Sequence, residues 1–312
     1  MATFAFVFPG QGSQSVGMLD AWGDHPVVKA TLDEASQSLG EDVAELIHSG
    51  PADKLGLTEN TQVVMLTAGV ACYRAWIAEG GAPPVAVAGH SLGEYSALVA
   101  AGALSLADAV PLVRFRAQAM QAAVPVGAGA MVAVLGLEAD AVRDCCARAA
   151  AESGQVVSAA NFNEPKQIVI AGTKDAVAKA SELLKAAGAK RAMPLPVSAP
   201  FHSALMKPAA DRLVERLQAV ALHTPAISVV NNIDVAVETD PARIRDALYR
   251  QAFGPVRWVE VIQALQARGV THVVECGPGK VLSRMVSRIV PELTGAALFD
   301  PASLAETRGL LA

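Results

Sequence analysis

Short apolar runs alternate with longer stretches whose apolar residues recur at helical spacing. Thr3 to Phe8 is apolar almost throughout and predicts a buried strand. Pro26 to Leu39 predicts a helix stopped by Gly40, and Thr61 to Ala78 a second one ahead of Gly80-Gly81. Val85 to Ala88 predicts the next strand, and a helix follows directly from Leu92. Strand and helix taken in turn predict an α/β architecture around a largely parallel sheet.

The rhythm changes near Pro125, where Gly127, Ala128 and Gly129 read as a linker. Beyond it, strands are predicted at Met131–Leu137, Val156–Asn161, Gln167–Ala171 and Arg191–Val197, with helices at Asp140–Ala151 and Ala176–Ala187. That order, βαββαβ, is the ferredoxin-like pattern. After Ala199 the first rhythm returns: a helix from Ala204, a strand over Ile227–Val230, a helix from Pro241, a strand over Thr271–Glu275 and a helix from Gly279. The pattern therefore predicts a large α/β-hydrolase-like domain (1–125 and 199–312) with a small ferredoxin-like domain (126–198) inserted, and a cleft between them of the kind ligands occupy.

Composition narrows the class. With 312 residues, 52% of them apolar, the chain can bury its own core without disulfides or a metal. A net charge of -5 gives no basic field for nucleic acid. The apolar run at Phe4–Phe8 ends at Pro9-Gly10, too short for a signal-peptide core, and the apolar segment Ala97–Val113 carries Ser105, Asp108 and Pro111, which suits buried helices better than a membrane span. Cys72, Cys145, Cys146 and Cys276 lack C-x-x-C spacing and read as buried reduced thiols. The expectation is a soluble, cytoplasmic monomer with no membrane or nucleic-acid partner.

The candidate chemistry centres on Gly89-His90-Ser91-Leu92-Gly93, a G-x-S-x-G placed directly after a strand and before a helix. A sharp turn there exposes the serine hydroxyl, and the following helix offers free backbone N–H groups to a developing negative charge. By itself the motif is weak, since small residues gather in any tight turn. A serine nucleophile needs a base, and six histidines are available: His25, His48, His90, His202, His223 and His272. His90 adjoins the serine and should point away from it. His25 and His48 lie in helix-terminal polar surroundings, and His272 opens an apolar strand, although a late histidine would suit an ordinary α/β-hydrolase. His202 sits in the loop that returns from the inserted segment, at the mouth of the cleft, where it could meet Ser91.

Six segments now carry a resemblance over essentially the whole chain: Phe8–Gln14, Gly89–Tyr95, Arg116–Gln121, Pro200–Ser203, Gln251 ahead of Pro255-Val256, and Glu275–Gly279. In this order they resemble the malonyl-CoA:acyl-carrier-protein transacylases. The resemblance implies that Ser91 is acylated, that His202 is the general base and acid, and that the Gln251 carbonyl orients the histidine. It implies an oxyanion hole from the backbone N–H groups of Gln11 and Leu92, a malonyl carboxylate on Arg116, and Asn161 on the cleft wall near the thioester or pantetheine. Phe201, next to the base, would limit room beside the acyl α-carbon. The implied reaction moves malonyl from coenzyme A to the phosphopantetheine thiol of an acyl carrier protein, with no metal and no bound cofactor, coenzyme A being substrate and product. An acidic carrier meeting a net-negative chain needs a local basic patch. Lys280, Arg284 and Arg288 recur at helical spacing and are expected on one helix face, with Lys190-Arg191 at the edge of the inserted segment. Alternatives are malonyl transfer in polyketide synthesis, a serine hydrolase of acyl thioesters, and a non-catalytic carrier-binding domain.

Overall fold

A computed structural model describes residues 2–312. Five parallel strands make the larger sheet: β1 (Phe4–Phe8), β2 (Ala86–Gly89), β7 (Ser228–Val230), β8 (His272–Cys276) and β9 (Thr294–Leu298), in the order β7-β2-β1-β8-β9. Four antiparallel strands make the other: β3 (Gly129–Leu135), β4 (Val157–Glu164), β5 (Gln167–Thr173) and β6 (Arg191–Pro194), in the order β4-β5-β3-β6. Every residue of β1 and β2 is buried, as expected for a parallel sheet covered on both faces by helices. The long helix Thr58–Ala78 packs on one face with Phe6, Phe8 and Trp76 in its core, and Trp258, Val261, Ile262 and Leu265 cover the other. Strand order reverses at β1, which opens a crevice at the carboxyl ends of β1, β2 and β8.

The small sheet has the ferredoxin-like arrangement. Its strand β3 shows the period of two plainly: Val132 and Val134 face helices Ala139–Ser153 and Lys174–Ala186, while Met131 and Ala133 face the other way, toward Leu195 and Phe201. That second face closes over the end of the parallel sheet. Backbone hydrogen bonds from Phe162 N to Val256 O (2.9 Å) and from Val256 N to Ala160 O (2.8 Å) stitch the edge of β4 to the larger layer. Two irregularities in the β4–β5 register, at Ala159/Asn161 and Phe162/Glu164, flank this junction.

Several expectations need correction. The last strand of the insert stops at Pro194: Leu195 N–H still donates to Met131 O (3.0 Å), but Pro196 has no N–H to carry the ladder further. The helix expected from Gly279 begins at Val281, because Gly277 (φ 126°) and Gly279 (φ 95°) form a turn that no helix can include. Lys280 therefore precedes the helix and is not on its face. The structure adds helices Val43–Ser49, Trp258–Ala267 and Pro301–Leu311, and strand β9, to the elements expected from the sequence pattern. All four cysteines are free and buried, and among the described residues no helix is long and apolar enough to cross a membrane.

Candidate active site

Register builds the site. Phe8 pairs with Gly89, so the turns that follow β1 and β2 lie side by side and Gln11 faces Ser91 across one cavity. The turn tolerates no side chain on its flanking glycines: a Cβ on Gly89 would lie 1.9 Å from Gly93 C, and one on Gly93 would lie 2.1 Å from Phe8 O. Ser91 takes φ 53°, a left-handed conformation that costs a non-glycine residue about 1–2 kcal/mol. Helix Gly93–Ala100 starts immediately after, leaving Leu92 N–H at its open end. Neither Leu92 N–H nor Gln11 N–H has a backbone acceptor among the described residues, and both residues line the cavity.

His202 reaches the serine from 111 positions away: Ser91 Oγ lies 2.7 Å from His202 Nε2. On the other side of the ring, Nδ1 sits 3.0 Å from Gln251 O and 3.1 Å from Gly254 O. Carbonyl oxygens only accept, so Nδ1 carries the proton and Nε2 presents its lone pair to the serine hydroxyl. Among the described residues, no carboxylate hydrogen-bonds to the ring. His202 is 4% exposed and also left-handed at φ 58°. Burial first, then the charge of Arg116 and the neighbouring His90, push its pKa down to about 3. It is a neutral acceptor at any ordinary pH.

Arg116 is 2% exposed and has neutral partners only: Gln62 Oε1 (2.8 Å), Gln251 Oε1 (3.1 Å) and Ser91 Oγ (3.3 Å), with the Tyr95 ring at 5.5 Å. Its Nε has no partner, and burial lowers its pKa. Among the described residues, no carboxylate touches this buried guanidinium, since Gln251 stands between it and Glu94, whose charge acts only at a distance; such burial is costly, and an incoming carboxylate supplies the direct partner. The cavity it lines holds about 160 Å³, bounded also by Met120, Met131, Asn161, Leu195, Val197 and Phe201. Asn161 Oδ1 is buried there without a hydrogen-bond partner. Phe201 packs between the small sheet and the helix that carries Arg116.

The structure thus gathers Ser91, His202, Gln251, Gln11, Leu92, Arg116, Phe201 and Asn161 in one place. His90 does turn aside, its Nε2 2.8 Å from Asn163 Oδ1 and its ring against Trp258. Sequence reasoning missed Gln62, Glu94, Asn232 and Gly254. Gln62 was hidden in a helix buried on nearly every side, and Asn232 follows β7 as functional residues often follow parallel strands. A larger open groove, about 690 Å³, collects Lys280, Arg284 and Arg288 with Glu306; Ser283 and Ser287 also line it, but among the described residues no histidine stands there to activate them. Arg288 is paired there with Glu164 (2.8 Å) and Lys280 lies over the Phe299 ring (5.0 Å), so Arg284 is the freest of the three. Lys190 and Arg191 belong to the other sheet, beside Leu135 on β3.

Comparison with known proteins identifies the family. Residues 5–304 match the acyl transferase domain family. The chain is 53% identical to the malonyl CoA-acyl carrier protein transacylase of Escherichia coli K12 over 98% of both chains. It superposes on the crystal structure of the acyl-carrier-protein S-malonyltransferase from Burkholderia pseudomallei 1710b with a TM-score of 0.96 and 65% identity, covering 98% of this chain and 99% of that one. It also matches, with a TM-score of 0.95 and 48% identity over 97% and 98% of the two chains, the malonyl-transacylase PlMCAT, solved in complex with the type II polyketide acyl-carrier protein AntF.

Proposed function

The chain belongs to the acyl transferase domain family, and from that premise we propose how its residues move malonyl from coenzyme A to acyl carrier protein in fatty acid synthesis. The observation that carries the mechanism is the buried guanidinium 3.3 Å from a serine hydroxyl that a neutral histidine already holds at 2.7 Å. The malonyl carboxylate pairs with Arg116, a fit that a planar fork of donors favours. Ser91 Oγ attacks the thioester carbon while its proton passes to His202 Nε2, and the oxyanion is received by the N–H groups of Gln11 and Leu92. Collapse expels coenzyme A, which leaves with the proton from His202. The carrier's phosphopantetheine thiol then gives its proton to His202 and attacks the malonyl-serine, which returns Ser91 to its hydroxyl form. Coenzyme A is substrate and product, and the cycle needs no bound cofactor or metal.

The substrate's charge also tunes the base. Arg116 is one cause of the low pKa of His202, so a carboxylate that neutralises Arg116 raises the basicity of the histidine when malonyl is in place. A thioester hydrolase is the weaker reading, because carbonyls and not a carboxylate support His202. Intact-mass measurement after mixing with malonyl-CoA tests the proposal: a persistent adduct on Ser91, discharged by carrier protein, is expected, and rapid loss to water would favour the hydrolase.

His202→Ala should slow acylation by about 100-fold to 10,000-fold, the usual worth of a general acid-base group. With its pKa lowered to about 3, the His202 ring in the free protein should keep its neutral NMR signature from pH 8 down to pH 5, where an ordinary histidine would protonate. A midpoint near 6.5 would contradict the desolvation described.

We assign the groove along helix Val281–Ile289 to carrier docking, with Arg284, Lys280 and Arg288 supplying positive charge and Lys190-Arg191 a second contact. Arg284→Glu should lower kcat/KM for carrier protein about 5-fold at low salt and flatten its salt dependence. An unchanged salt profile would remove the groove from the docking surface.

A further inference from the structure

Ser91 is held in a left-handed conformation, and both of its backbone polar groups are taken by side chains from distant segments. Its N–H donates to Asn232 Oδ1 (2.7 Å), and its carbonyl accepts from Gln251 Nε2 (2.9 Å). The Asn232 amide also donates from Nδ2 to Gly89 O (2.7 Å), so one side chain spans the turn and grips it on both sides of His90. Asn232 is itself fixed by its own N–H, which donates to Glu94 Oε2 (2.9 Å), and that same oxygen accepts from Gln251 Nε2 (3.1 Å). The chain of contacts then returns to the base, because the Gln251 carbonyl is an acceptor for His202 Nδ1.

Asn232 and Gln251 are fully buried and Glu94 is 2% exposed. Neither Glu94 nor Asn232 lines the catalytic cavity. A carboxyl in such a place is costly, as its pKa of about 7, raised by burial, attests. We propose that Asn232 and Glu94 are positioning residues that set the serine–histidine geometry: Asn232 clamps the nucleophile turn, and Glu94 locks that clamp to the segment that orients the histidine. One carboxylate oxygen thereby ties together the turn after β2, the loop after β7 and the end of helix Pro241–Gln251.

The inference rests on Ser91 as nucleophile, and the test separates the two. Single-turnover malonylation is measured alongside sulfonylation of Ser91 by phenylmethylsulfonyl fluoride, a neutral probe that ignores Arg116. Malonyl-CoA affinity is measured by calorimetry in a Ser91→Ala background. Asn232→Ala should slow both reactions together by about 30-fold or more, the scale of a small misplacement of reacting groups, while malonyl-CoA affinity stays within about 3-fold. Glu94→Gln, nearly isosteric, keeps one acceptor oxygen and should slow both by about 5-fold, and it decides the question if Asn232→Ala does not fold. The inference is overturned by a folded variant that reacts at the parent rate with both reagents, or by a loss confined to malonyl-CoA affinity. A parent protein that forms no adduct on Ser91 would instead sink the nucleophile assignment.

Discussion

Ser91→Ala should keep its fold and lose malonyl transfer by about 10,000-fold or more, the scale seen when a serine nucleophile is removed. Among the described residues, no other hydroxyl or thiol lines the cavity to replace the attacking atom. The cost to the fold is small, because only the contacts of Oγ with His202 and Arg116 disappear, and a hydrogen bond is worth about 1 kcal/mol net. The backbone at φ 53° is a separate matter: alanine inherits the strain, whereas glycine relieves it. Ser91→Gly should therefore be inactive yet about 1 kcal/mol more stable than Ser91→Ala in denaturant titrations. An alanine variant that still accumulated the adduct would place the nucleophile elsewhere.

Arg116→Ala should lower kcat/KM for malonyl-CoA by about 100-fold to 1,000-fold, as expected when one partner of a desolvated charge pair is removed. Acetyl-CoA should respond in the opposite sense. In the parent protein, a neutral acyl group fills the cavity without answering the buried guanidinium, which loses hydration and gains no counter-charge. Removing Arg116 abolishes that penalty, frees a lone pair of Ser91 Oγ from its Nη2 donor, and takes away one cause of the low pKa of His202. The sign of the pH effect follows: the folded-state pKa of His202 rises, so acetylation by the variant should begin to fall at a higher pH than in the parent as pH is lowered. Burial remains the larger cause, and the shift is partial. Competition between malonyl-CoA and acetyl-CoA for Ser91, read by mass, checks both changes. A variant that still preferred malonyl as strongly as the parent would show that the carboxylate is recognised by other groups. Phe201, next to the base in the chain, lines the same cavity wall.

Local features of this protein were legible in the amino-acid sequence. The strand-turn-helix around Ser91 was readable because its causes lie within a few residues: an apolar run, two glycines whose side-chain space is occupied, and a helix start. The βαββαβ order was readable for the same reason, since periods of two and of 3.6 report a local face. Even His202 could be singled out, although only by its place in the loop leaving the insert and by resemblance. What the tertiary structure decided is everything that depends on which strand lies beside which. The order β7-β2-β1 brings Asn232 to Ser91 across 141 positions, and the return of helix Pro241–Gln251 brings the Gln251 side chain to Ser91 across 160. Those polar residues leave no periodic trace, because each satisfies one buried group and repeats nothing. The basic groove was half legible for a related reason: spacing aligned Arg284 and Arg288, but the Gly277–Gly279 turn set Lys280 outside the helix, and Glu164, from the other sheet, took Arg288. Periodicity specifies faces, and it is the packing of faces from remote segments that determines which charges remain free and which backbone groups a buried side chain must hold.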